Sequence, residues 1–212
     1  MIKNSMKVAM FLLLFASAAS ATWQIPDVLI HEGKEYSIFN DILTPYFKKY
    51  PERDPKDEDY FCSASWRGYK ALFEISNREL KLKDIFKNPC ERSTVSALKQ
   101  VVPDGKPLVI DWYSGVVVSM DGENSGDSYD MEFINTFEAY SFFELENGRL
   151  SQVKHFDNKG FLQFRKEQFE KYKKTSDYQE EIKRRTSDGR QSIEAVSESI
   201  EFWLPFSLKK IL

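Results

Sequence analysis

Histidine and cysteine are almost missing from this chain: among 212 residues there are two of each, His31 and His155, Cys62 and Cys90. Zinc centres draw on clustered histidine and cysteine, and no such cluster stands in the sequence. An excess of positive charge is missing too. With 33 acids against 30 lysines and arginines the formal charge is −3, whereas a nucleic-acid partner asks for a basic face that displaces counterions. The run Lys183-Arg184-Arg185 reads as a solvated helix end. Glycine is sparse and nowhere spaced as a phosphate-cradling loop, and Ser114 lacks the flanking glycines of a nucleophile elbow. No repeat, no low-complexity tract and no cofactor motif is present. Glycoside hydrolysis survives these exclusions, because it needs only two carboxylates.

Long apolar runs are confined to the start. Lys3 and Lys7 precede an apolar stretch over residues 8–15, followed by Ala16-Ser17-Ala18-Ala19-Ser20-Ala21. Positive, apolar and small residues in that order read as a signal peptide over residues 1–21, with Ala19 and Ala21 before the cut, whether translation starts at Met1 or Met6. A membrane anchor needs about 20 apolar residues, and Trp23-Gln24-Ile25-Pro26-Asp27 ends the run first. No cysteine stands near the cut for a lipid anchor. The expected mature chain of 212 − 21 = 191 residues loses two lysines, leaving 28 cations against 33 acids and a charge of −5. Export, to the periplasm foremost or to the medium, places Cys62 and Cys90 where thiols oxidise. The expected Cys62–Cys90 disulfide closes a loop worth about 3 to 4 kcal/mol in the chain-entropy model.

Between the cysteines lies a hairpin pattern. Residues 66–75 are aromatic and β-branched, Ser76-Asn77-Arg78-Glu79 supplies a turn, and residues 80–86 begin with strict alternation. Pairing them sets Phe73 against Leu82, Ile75 against Leu80 and Tyr69 against Phe86, and brings Cys62 toward Cys90. A second hairpin joins residues 137–145 to 150–156 through Asn147-Gly148, the preferred pair for a type I′ turn. Glu32-Gly33 marks a weaker one. Residues 42–50 read as a short helix, 51–59 as a loop and 108–118 as one buried strand. In the tail Phe161, Leu162, Phe164, Phe169 and Tyr172 share a helix face. Ser176 with Gln179 resembles a capping box, and residues 193–204 add further turns before Pro205. The expectation is one α+β domain over residues 22–212: residues 22–160 a mostly antiparallel sheet built from hairpins, and 161–212 a helical tail packed on it.

Several segments resemble a family of exported or cytosolic bacterial proteins without an established activity. They are Pro26-Asp27-Val28-Leu29-Ile30 with Gly33-Lys34-Glu35-Tyr36-Ser37, Pro45-Tyr46-Phe47, Trp66-Arg67-Gly68-Tyr69 leading to Phe73-Glu74-Ile75, Pro103-Asp104-Gly105-Lys106-Pro107, and Asp111-Trp112-Tyr113-Ser114-Gly115. The pattern covers residues 26–180 and departs over residues 121–136. The resemblance implies a shared architecture and, by analogy, an immunity role beside secreted toxins; it implies no reaction.

Three local patterns are candidates for function. Asp121, Glu123, Ser125 and Glu132 stand at ligand positions of a calcium loop, with Gly126 at its turn, although a valine-rich strand rather than a helix precedes them. His155 and Asp157 have the residue types of a base and its orienter. Trp66, Arg67 and Tyr69, with Trp112, are of the types enriched at interface hot spots, against a structural reading in which Arg67 meets Asp84 across the sheet. The expectation is an exported, non-enzymatic protein that binds another protein or an envelope component, with a carboxylate-dependent hydrolase acting on envelope glycan or peptide as the alternative.

Overall fold

The computed structural model describes residues 24–91, 95–124 and 136–211. Its frame rests on three two-residue turns, Glu32-Gly33, Asn77-Arg78 and Asn147-Gly148, in which both residues have positive φ. That is the type I′ geometry whose twist matches the strands it joins. Along the chain come β1 (Asp27–His31), β2 (Lys34–Ile38), α1 (Thr44–Lys49), a single 3₁₀ turn (Pro51–Arg53), β3 (Tyr69–Ser76) and β4 (Glu79–Lys87). There follow β5 (Val95–Ser96), α2 (Leu98–Val101), β6 (Leu108–Val109), β7 (Gly115–Asn124), β8 (Phe137–Glu146) and β9 (Arg149–Asp157). Helices α3 (Asn158–Tyr172), α4 (Ser176–Thr186) and α5 (Ile193–Ser207) end the described chain.

The hairpins do not lie side by side in an open sheet; they close into a seven-strand barrel in the order β3-β1-β2-β7-β8-β9-β4 and back to β3. The β1–β3 pair is parallel, with Leu29 beside Phe73, and the others are antiparallel. Two contacts between hairpins are narrow. Strands β2 and β7 share one register pair, Ile38 with Ser119, reinforced by the Asn40 carboxamide, which bonds Val116 O at 3.1 Å and Val118 N at 3.2 Å. Strands β4 and β9 share only Glu79 with Arg149, flanked by Leu80 N to Gly148 O and Leu150 N to Arg78 O, both 2.8 Å. The reason lies in β4: beyond Glu79 its second edge is taken by β6 at Lys81 and Leu82 and by β5 at Phe86 and Lys87.

The expected pairs Phe73–Leu82 and Ile75–Leu80 form, but a bulge between Leu72 and Phe73 sets Tyr69 against Lys87 rather than Phe86. The expected strand over residues 108–118 divides into β6 and β7, because the chain turns between them: the Trp112 indole donates to Ile42 O at 3.0 Å and Tyr113 O accepts from Gly148 N at 2.8 Å. Helix α3 begins earlier than expected, since Asp157 caps it by accepting from Gly160 N at 2.7 Å. Thr175, not Ser176, caps α4, accepting from Tyr178 N at 3.3 Å. Helix α5 continues through Pro205 to Ser207, where the missing proline N–H disturbs only the last turn.

Side chains fill the barrel: Leu29, Ile38, Phe73, Leu82, Val117 and Phe143 are all inside. The opposite face of β7 and β8 carries Val116, Val118, Met120, Tyr140 and Phe142 and is covered by α3 and α5; Phe161 of α3 stacks on Tyr140 at 3.8 Å. Both faces of β7–β8 are thus buried, which is why Val116, Val117 and Val118 are apolar in succession. Each such side chain taken from water contributes about 1.5 to 3 kcal/mol. After α5 the chain returns to the barrel, where Val116 N donates to Leu208 O at 3.0 Å and Ile211 N to the Glu144 carboxylate at 3.0 Å. Cys62 and Cys90 are joined in a disulfide, Cα atoms 6.5 Å apart, tying the open end of the β3–β4 hairpin. Among the described residues no helix is long and apolar enough to cross a membrane.

Candidate binding groove

Tyr46 lies on α1 and Tyr50 caps its C-terminus one helical turn on, with ring centres 5.1 Å apart. Pro51 ends the helix, and the 3₁₀ turn brings Arg53 back beneath the two rings. The Tyr46 hydroxyl donates to Val101 O at 2.8 Å and accepts from Arg53 Nη1 at 2.6 Å. The Arg53 guanidinium lies 4.5 Å from the Tyr50 ring centre, within cation–π range. Trp112, fixed through its indole N–H, stacks on Tyr46 with centroids 5.4 Å apart and planes 19° from parallel. The facing wall is the segment from Val102 to Val109, which Gln100 helps hold by donating to Asp54 O at 2.9 Å. Between the walls lies a groove of about 690 Å³. Three cations, Lys49, Arg53 and Lys106, and two acids, Asp104 and Asp111, line it. Locally the balance is positive on a chain whose formal charge is −3.

The four residues expected to form a recognition surface are dispersed. Trp112 belongs to this groove. Trp66 lies on the turn before β3, 73% exposed, near Phe61 in sequence, which is 89% exposed. Tyr69 is inside the barrel, where burial pushes its phenol well above the ordinary value despite the nearby Arg67. Arg67 does not meet Asp84. Its Nη1 donates to Asp27 Oδ2 at 2.6 Å, and the other Asp27 oxygen accepts from Ala71 N at 2.7 Å. Asp27 is 1% exposed, and burial raises its carboxyl above the ordinary 3.8 against the pull of Arg67. Asp84 instead accepts from the Ser96 hydroxyl at 2.6 Å. The pair Arg67–Asp27 joins β1 to β3, a structural task.

The two histidines, far apart in sequence, both meet Phe143 at one end of the barrel, with ring centres 5.6 and 6.4 Å away. His155 does not pair with Asp157, which caps α3; its Nδ1 is 3.0 Å from the Ser141 hydroxyl. Ser141 and Ser119 both donate to Asp121, at 3.4 and 2.9 Å, and Lys34 Nζ is 3.9 Å from it. The acid therefore bonds the serines rather than orienting the histidine, so this is not the order of a nucleophile, base and orienter. Asp121 and Glu123 lie in β7, while Ser125 and Glu132 fall outside the described residues. Among the described residues no group of histidine, cysteine, aspartate and glutamate is placed to hold a metal.

Of the groove residues that sequence reasoning overlooked, Tyr46 and Tyr50 carried a readable signal in their four-residue spacing, whereas Arg53, beyond Pro51, did not. Val109, 41% exposed at the rim, did not, because the break between β6 and β7 is a tertiary effect. Comparison with known proteins adds no relative: no protein-family model, no curated protein and no solved structure matches this chain.

Proposed function

We propose that this is an exported binding protein without catalytic activity, whose ligand is another protein or an envelope component and whose contact surface is the aromatic groove. The observation that carries the reading is the groove itself: the Tyr46–Trp112 stack and the Arg53 guanidinium are held by hydrogen bonds before any ligand arrives. Pre-organised aromatic and arginine side chains lose little entropy on binding, which is why they recur as interface anchors. The Cys62–Cys90 disulfide is consistent with an oxidising compartment. An immunity role is one form this binding takes.

The test is site-specific cross-linking in envelope extract, with a photoreactive residue at Val109 and a control at the exposed Glu180 of α4. An adduct formed from Val109, absent from Glu180 and reduced by Lys106→Glu, supports the reading. Adducts from both positions alike would remove the groove from the argument. The competing reading is a hydrolase using Asp104 and Asp111, both of which line the groove. Turnover of cell-wall fragments that stops on Asp104→Asn or Asp111→Asn would establish it instead.

A further inference from the structure

We infer that the groove takes an extended peptide segment bearing an acidic side chain, which lies along β6 and adds to it as a strand. This rests on the groove being the contact surface. Among the described residues strand β6 pairs with β4 alone. In that antiparallel ladder Ile110 N donates to Leu80 O at 2.9 Å, so Val109 opposite Lys81 is a non-hydrogen-bonded position, with its N–H and C=O directed away from β4. That direction is where a further strand pairs, and Val109 itself lines the groove. Main-chain bonds to a sheet edge give affinity without sequence preference, and side-chain pockets then select. Here the pocket is the Tyr46–Trp112 stack, suited to an aliphatic or proline side chain, beside Arg53.

Charge chooses among peptides. Tyr46 and Tyr50 hold Arg53 in place, and Lys49 and Lys106 stand on opposite walls. A planar guanidinium already fixed in orientation is matched by a carboxylate, which accepts two parallel N–H bonds. Asp104 and Asp111 offset part of this charge, and Glu52 stands 3.6 Å from Arg53 Nε, so the preference for an acidic over a lysine-bearing peptide rests on an excess of one cation and on the guanidinium donors that remain.

An array of short peptides combining aliphatic residues, proline and glutamate, each with a lysine-for-glutamate counterpart, tests this on the full chain. The glutamate set should bind at least about tenfold more tightly than its counterparts. Binding should protect the Val109 amide from hydrogen exchange. Lys49→Glu with Lys106→Glu should remove the preference while leaving the melting temperature unchanged, which separates recognition from folding. Equal binding of glutamate and lysine peptides, an unprotected Val109 amide, or no peptide binding at all would overturn the inference. Binding of a soluble N-acetylglucosamine oligomer in the groove instead would overturn it while leaving the groove a contact surface. Failure of every probe, together with cross-links that avoid Val109, would overturn both.

Discussion

Replacing Gly148 with alanine tests whether the barrel closes where two segments approach without room for a side chain. Gly148 has φ +71, and a Cβ built there would collide with the Ile110 carbonyl oxygen and lie 3.2 Å from Asp111 Cα. Its N–H donates to Tyr113 O and its carbonyl accepts from Leu80 N, each at 2.8 Å. Left-handed backbone in a non-glycine residue costs about 1 to 2 kcal/mol, and forcing backbone apart in a packed region adds about 1 to 3 kcal/mol. The sum, taken as about 3 kcal/mol, corresponds to a melting temperature lower by about 6 to 12 °C for a chain of this size. Gly33→Ala is the control: its φ is +78 but a Cβ there meets nothing within 4 Å. It should show the conformational part alone, about 1 kcal/mol and about 2 to 4 °C. Thermal unfolding followed by circular dichroism measures both. If Gly148→Ala lowers the midpoint no more than Gly33→Ala, the close-approach reasoning is wrong.

Reducing the Cys62–Cys90 disulfide, or replacing both cysteines by alanine, should cost about 3 to 4 kcal/mol by chain entropy, read from the denaturant midpoint with and without reductant. Arg67→Met leaves Asp27 buried without its cation and should destabilise by about 3 to 5 kcal/mol at neutral pH. Because the folded chain holds the Asp27 proton more tightly than the unfolded chain, this group favours folding most below pH 3.8, and that contribution is lost as pH rises through the folded value. The Arg67→Met penalty should therefore shrink at pH 4, and a penalty that grows there would refute the account. Glu144 has the opposite sign: burial alone would raise its carboxyl, but bonds from Ile211 N, Gln152 and Ser151 hold it below its ordinary 4.5. Its contribution is present above pH 4.5 and lost as pH falls through the folded value, so Glu144→Ala should speed hydrogen exchange at Ile211.

The three hairpins were legible because their turn residues are adjacent in sequence and their chemistry is local: Asn147-Gly148 specifies a turn wherever it stands between strands. The way the hairpins join was not. Nothing in residues 27–31 announces a parallel partner in β3, and the bulge between Leu72 and Phe73 that moves Tyr69 opposite Lys87 leaves no mark in composition. The run over residues 108–118 reads as one strand because burial on both faces and burial at a turn demand the same apolar residues. For the groove, Trp112 stood out by residue type alone. Tyr46, Tyr50 and Arg53 needed the fold to bring α1 beneath Trp112, and the Arg67–Asp27 pair is hidden in the sequence because Asp27 is 40 residues away and its burial is invisible there.

The two narrow contacts of the barrel wall divide it into half-shells, one of β1 to β4 with β5 and β6, the other of β7 to β9 under α3 and α5. Each half is held by long hairpin ladders, while β2–β7 and β4–β9 are single-pair hinges of the wall. Local opening should then follow those lines, giving two blocks of hydrogen exchange rather than one. Trp112 lies on the segment that crosses from one shell to the other, stacked on a ring that belongs to the first. Anything that parts the shells also unstacks Trp112 from Tyr46, so indole fluorescence there reports on the closure of the barrel as well as on the occupancy of the groove.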